Sequence, residues 1–119
     1  NANLVTVAGN EAKQLRAIEN VIALYATSPF EKYEKYGGTI EMHRDRVIPA
    51  SHIQRRLVDT AAFRGPGGAT RAINEALKRM LDADEIRQVS KDQMIKLYGT
   101  GARAFAISNG KFIIEALAA

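Results

Sequence analysis

The chain has 119 residues, 46% hydrophobic and 25% charged, which suits one globular domain with a core of its own. It contains no cysteine, which excludes a disulfide framework and any thiolate zinc site. The net charge is +4, and the excess is local: residues 41–80 hold eight basic and four acidic side chains, while residues 1–40 hold four of each and residues 81–119 five of each. A localised basic segment is what a phosphate-binding surface needs.

No apolar run reaches the roughly 18 residues of a membrane helix. No basic stretch followed by an apolar one opens the chain, so no signal peptide is read and a cytoplasmic location is expected. Asn1-Ala2 reads as the scar of an excised tag, which leaves a longer parent protein open.

In chain order, Asn10 is expected to cap a first helix over residues 10–27. Leu15, Ile18, Val21, Ile22 and Tyr25 form its apolar stripe. Ser28-Pro29-Phe30-Glu31 has the form of a capping box with proline at the first helical position. It predicts a short helix ending at Gly37-Gly38, with Phe30, Tyr33 and Tyr36 against the first helix. Residues 39–48 read as extended or irregular, with a short strand over 46–48 that Pro49 ends. Ser51-His52-Ile53-Gln54 is a second capping box and opens a helix with Ile53, Leu57, Val58 and Ala61 on its apolar side. Gly65-Pro66-Gly67-Gly68 is the strongest breaker in the chain. A helix over residues 69–83 follows, its stripe made by Ile73, Ala76, Leu77, Met80 and Leu81. Asp82-Ala83-Asp84 closes it, and residues 85–89 read as a strand. Ser90-Lys91-Asp92-Gln93 is a third capping box, so residues 91–98 form a short helix ending at Gly99 or, alternatively, a strand. Residues 102–108 alternate as a strand. Asn109-Gly110 is a two-residue hairpin signal, with residues 111–117 returning as a strand or turning helical instead.

The fold class read from this order is α+β, mostly helical: a winged helix-turn-helix with a small antiparallel sheet. Two helices joined by a turn precede a β-hairpin. Residues 1–119 make a single domain, with a helical extension over 1–45 and a core over 46–117.

The helix from residue 69 stands where a recognition helix would. Its outer side carries Thr70, Arg71, Asn74, Glu75, Lys78 and Arg79. Arginine and asparagine pair with guanine and adenine edges at two points, and lysine and arginine neutralise phosphates. Gly67 and Gly68, with Arg64 beside them, leave backbone N–H groups bare before that helix, which suits an anion. No Gly-Lys-Ser/Thr follows, so this is not a nucleotide-binding P-loop. Arg55 and Arg56 lie on the preceding helix, where they can meet a DNA backbone. His43 and His52 share no ligand spacing, the Asp82–Asp84–Glu85 group lacks the series of a calcium loop, and no nucleophile elbow occurs. No metal, cofactor or catalytic residue is therefore expected.

The stretch over residues 47–108, chiefly "INEALKRMLDADEI" followed by "YGTGARAFAI", resembles the winged-helix modules at the C-terminal ends of plasmid and phage replication proteins. The resemblance covers about half the chain and rests on a pattern without an invariant motif. It implies a DNA-binding role in mobile-element replication beside a helicase or primase ATPase domain. Such modules are also similar to bacterial repressors, from which this chain departs by its short helix within the wing. Expected partners are DNA, duplex ahead of single strands, and a parent ATPase domain or other protein. A homodimer also stays open. The alternatives are a stand-alone repressor and a protein-docking module, the latter using Phe112, Ile113 and Ile114.

Overall fold

The computed structural model describes residues 2–108 and Gly110. The turn expected at Asn109, the return expected over 111–117 and the apolar trio Phe112, Ile113 and Ile114 fall outside the described residues.

Helix α1 spans Ala2–Thr27, so Asn10 lies inside it and is not its cap. No proline stands in residues 2–9, and Gly9 alone costs a helix only about 1 kcal/mol. Ile18, Val21, Ile22 and Tyr25 are buried, as their spacing requires.

Helix α2 (Phe30–Tyr33) is a single turn. Pro29 takes the N-cap position in extended conformation and no side chain caps the helix, so the box expected at Ser28 does not form. A 3-10 turn over Glu34–Tyr36 stops at Gly37, whose φ of +98° is open to glycine. Residues 40–44 correct the expectation of extended chain. The Thr39 hydroxyl accepts the Met42 N–H at 3.2 Å and starts helix α3 (Ile40–Arg44), which buries Met42. Arg46 then turns the chain at φ +55°, and strand β1 (Val47–Pro49) follows.

Helix α4 (Ala50–Leu57) also takes a proline, Pro49, as its N-cap residue. Ser51 therefore sits inside the helix, where its hydroxyl donates to the Tyr36 carbonyl at 3.3 Å. Ile53 and Leu57 are buried, but Val58 and Ala61 are exposed, because the helix ends at Leu57 and a 3-10 turn (Ala61–Phe63) inserts Phe63 in their place.

Helix α5 (Ala69–Asp82) follows the Gly65–Gly68 turn. Ile73, Ala76, Leu77 and Met80 are fully buried and Leu81 half so. Each large apolar side chain of this kind stabilises by roughly 1.5–3 kcal/mol on leaving water. Asp84 closes the helix at φ +60°. Its N–H donates to Leu81 and the Glu85 N–H to Met80, a Schellman pair. Strand β2 (Arg87–Gln88), helix α6 (Lys91–Tyr98) and strand β3 (Ala104–Ala106) complete the described elements. Ser90 caps α6 through the Gln93 N–H, and Gly99 ends it at φ +71°, so the helical reading of this stretch holds and the strand reading does not.

The three strands pair antiparallel in the order β1–β3–β2. Ile48 lies opposite Phe105, and both enter the main core with side chains of α1, α4 and α5. Val47 and Ala104 point the other way, into a second cluster with Met42 of α3 and Met94 of α6. The strict two-residue alternation thus puts helices on both faces of the sheet. The protein is mostly helical α+β with a small antiparallel sheet. The division into an extension over 1–45 and a core over 46–117 does not follow the packing, since α1 supplies four side chains to the main core. No described helix is long and apolar enough to cross a membrane.

Candidate nucleic-acid interface

The outer face of α5 is set by what its inner face buries. Arg71 and Lys78 stand two turns apart and are both exposed, with Thr70 exposed beside them. Arg71 Nε lies 3.3 Å from Glu75 Oε1, an exposed pair one turn apart. Gly67 lies against this arginine: a Cβ there would meet Arg71 Cδ at 3.4 Å. Gly68 is the N-cap residue, at φ +86° and with no side-chain cap, so the first turn of α5 presents backbone N–H groups on an exposed surface. Arg64 is exposed at this end, in a long contact from Nη2 to the Asp59 carbonyl at 3.4 Å.

The remaining residues expected on this face are placed differently. Asn74 is half-buried on the edge of α5 nearest α4 and β3. Its Oδ1 accepts from Gln54 Nε2 at 2.9 Å and from Arg103 Nη1 at 3.1 Å. Arg79 is half-buried on the opposite edge, where Nη2 donates to Gln14 of α1 at 3.1 Å. It does not share the exposed face with Arg71 and Lys78, because residue 79 falls about 80° round the helix from residue 71, toward α1.

Arg55 and Arg56 turn toward the Glu34–Tyr36 segment. Arg55 is exposed and donates to the Lys35 carbonyl at 3.1 Å. The Arg56 guanidinium lies 4.6 Å from the Tyr33 ring centroid and 5.8 Å from that of Tyr36, with Nη1 3.4 Å from His52 Nε2. It stacks on aromatic faces and is only partly exposed, so it serves packing before any phosphate contact.

His52 is fully buried, with Tyr25, Tyr33 and Tyr36 rings at centroid distances of 5.0, 5.4 and 5.2 Å. Burial, with a smaller contribution from the Arg56 charge, pushes its pKa down to about 4. It is a neutral core ring at physiological pH.

The residue that the sequence pattern did not bring forward is Arg103. It is exposed, precedes β3 and reaches back to Asn74 on α5. The one available signal was the alternation in "ARAFAI", which sets Arg103 and Phe105 on the same side of the chain. The connection expected to form a wing behaves differently too. Helix α6 folds back on the sheet, Met94 is buried beside Met42, and the Tyr98 hydroxyl donates to Asp45 Oδ2 at 2.7 Å. Burial, aided by this bond and the Asp45 charge, raises the Tyr98 phenol to about 12.

What the face offers is a set of donors interrupted by two exposed acids of α5, Glu75 and, one turn beyond Lys78, Asp82. Arg71, Lys78 and Arg103 are cationic, and backbone N–H groups stand at one end. No protein-family model, curated protein or solved structure matches the chain.

Proposed function

We propose that the chain is a winged-helix domain that binds DNA, duplex ahead of single strands, with α5 as its groove-facing helix. The observation that carries this reading is the exposed face of α5, with Arg71 and Lys78 in line and Arg103 beside it. The topology supports it: β1, helix, turn, helix, β2, β3 with sheet order β1–β3–β2 is similar to that of winged helices, which offer their second helix to the major groove, with helix α6 added between β2 and β3. The fold-back of α6 shifts the reading from wing contacts to the helix itself. The resemblance of residues 47–108 to plasmid and phage replication modules extends the proposal to a part in mobile-element replication, next to an ATPase domain. That extension rests on the resemblance alone.

The test is a gel shift with random duplex and single-stranded DNA at low and moderate salt, with light scattering on the free protein. The wild type should bind duplex DNA. The Arg71→Ala, Lys78→Ala double variant should bind more weakly, with a log–log salt slope shallower by about 0.9 for each phosphate that is no longer neutralised. A folded double variant with unchanged affinity and slope would overturn the assignment of α5. Absence of wild-type binding to either form at low salt would favour the docking module. A stable dimer selecting a palindrome would favour the repressor.

A further inference from the structure

Arg103 is held at three points. Its carbonyl accepts the Ala50 N–H at 2.9 Å, which ties its backbone to the start of α4. Its guanidinium lies 5.1 Å from the Phe105 ring centroid, and that ring is fully buried. Its Nη1 donates to Asn74 Oδ1 at 3.1 Å. An arginine donates only, so this contact fixes the Asn74 amide with its oxygen toward β3. The same oxygen then faces Gln54, which must present Nε2, at 2.9 Å. One carbonyl oxygen thus joins α4, α5 and the approach to β3.

The donors and acceptors here constrain both side chains. Reading adenine at two points requires an asparagine to offer both its oxygen and its amide N–H. Both lone pairs of Asn74 Oδ1 are already engaged, so Asn74 cannot read adenine without releasing Arg103. Arg103, by contrast, is held through Nη1, which leaves its Nε–Nη2 edge as a planar pair of donors. Among the described residues no carboxylate pairs with it, whereas Arg71 of α5 is matched by Glu75.

We infer that Arg103 is a nucleic-acid-binding residue that engages a paired acceptor edge through Nε and Nη2, and that Asn74 is the positioning residue that aims it. This rests on the α5 reading above and deepens it. Two acceptor pairs have the required chemistry: O6 and N7 of guanine, and two oxygens of one phosphate. A guanidinium already fixed by ring and amide loses little freedom on binding, and that preorganisation favours affinity over a free surface arginine.

The experiment is a double-mutant cycle on binding to two duplexes, one of random sequence and one with only A·T pairs, measured across salt. Circular dichroism confirms that each variant is folded. Arg103→Ala and Asn74→Ala should each weaken binding about tenfold, the scale of one two-point contact, and together by little more than either alone. Asn74→Asp keeps the acceptor but adds a charge that opposes phosphate, so it should restore binding only in part, and more fully as salt screens that charge. If guanine is the acceptor, the loss appears on the random duplex only and Arg103→Lys does not rescue it. If phosphate is the acceptor, both duplexes lose affinity equally, the salt slope falls and Arg103→Lys rescues in part. Losses that multiply in the double variant, or an Arg103→Ala variant that binds as wild type while Arg71→Ala, Lys78→Ala fails, would overturn the inference and leave the α5 reading standing. Absence of wild-type binding would end both.

Discussion

Arg79 Nη2 donates to Gln14 Oε1 at 3.1 Å, joining α5 to α1 across 65 residues of sequence. Gln14 is buried, and its Nε2 donates in turn to the Ala62 carbonyl at 3.0 Å, so one amide fastens three segments around the core. This relationship separates Arg79 from the other cations of its helix. Its work is in the fold.

Arg79→Ala should therefore lower stability and spare DNA binding. The substitution leaves the Gln14 oxygen buried without its donor, a loss of about 1–3 kcal/mol. Urea denaturation reads it as a lower midpoint at unchanged slope. Full stability with weakened DNA affinity would put Arg79 back in the interface.

His52 predicts a pH dependence. Its folded pKa is about 4 against an ordinary value of 6.5, so between these limits the unfolded chain binds the extra proton and the folded chain resists it. Stability contributed by the neutral ring is fully present above pH 6.5 and is lost as pH falls toward 4. At about 1.36 kcal/mol per unit the loss comes to about 3 kcal/mol. Denaturation at about pH 7 and about pH 4.5 should show most of it, and His52→Phe should flatten the slope across that window by the same amount. An unaltered slope in His52→Phe would show that other groups carry the acid sensitivity.

Helix α5 was legible because a strong breaker, a 3.6-residue stripe and a closing acidic turn all agree on its bounds. Helix α6 was legible at both ends through Ser90 and Gly99. The boxes at Ser28 and Ser51 misled because a proline stands close to each serine. Pro29 and Pro49 take the N-cap positions themselves, in extended conformation, so neither serine caps its helix. Helix α3 leaves no signal in the sequence, since five residues carry no periodicity. At the candidate interface, spacing alone puts 71, 74 and 78 on one side of α5. It cannot reveal that Arg103, 29 residues further on, occupies the Asn74 oxygen. Contacts between distant segments decide which polar side chains are free, and no local pattern records them.

Helix α6 should depend on its two ends. Ser90→Ala removes the acceptor of the Gln93 N–H and should cost about 1 kcal/mol. Gly99→Ala forces a Cβ into a left-handed position at φ +71° and should cost about 1–2 kcal/mol. Open space surrounds Gly99, so the backbone conformation alone is being tested. Both losses should appear in global urea unfolding, because Met94 ties α6 to Met42, Val47 and Ala104. Unchanged midpoints in both variants would mean that α6 opens independently of the rest.

Glu75 offers the sharpest test of the charge on α5. It is the acidic side chain between Arg71 and Lys78, and its Oε1 sits 3.3 Å from Arg71 Nε with both side chains largely exposed. An exposed pair of this kind adds little to stability, so Glu75→Gln should leave the urea midpoint almost where it is. Its effect on binding runs the other way. The carboxylate neutralises Arg71 and repels a phosphate brought to the same face, and glutamine removes both effects while keeping the length of the side chain. Affinity for duplex DNA should rise about threefold at low salt, and the gain should shrink as added salt screens the exposed charges. The gain should shrink in the Arg71→Ala, Lys78→Ala background, since Arg71 is no longer there to be released and only the relief of phosphate repulsion remains. Gel shifts with the four proteins at two salt concentrations read all of this. An affinity that falls or stays level in Glu75→Gln, with the fold intact, would mean that DNA does not approach this face of α5.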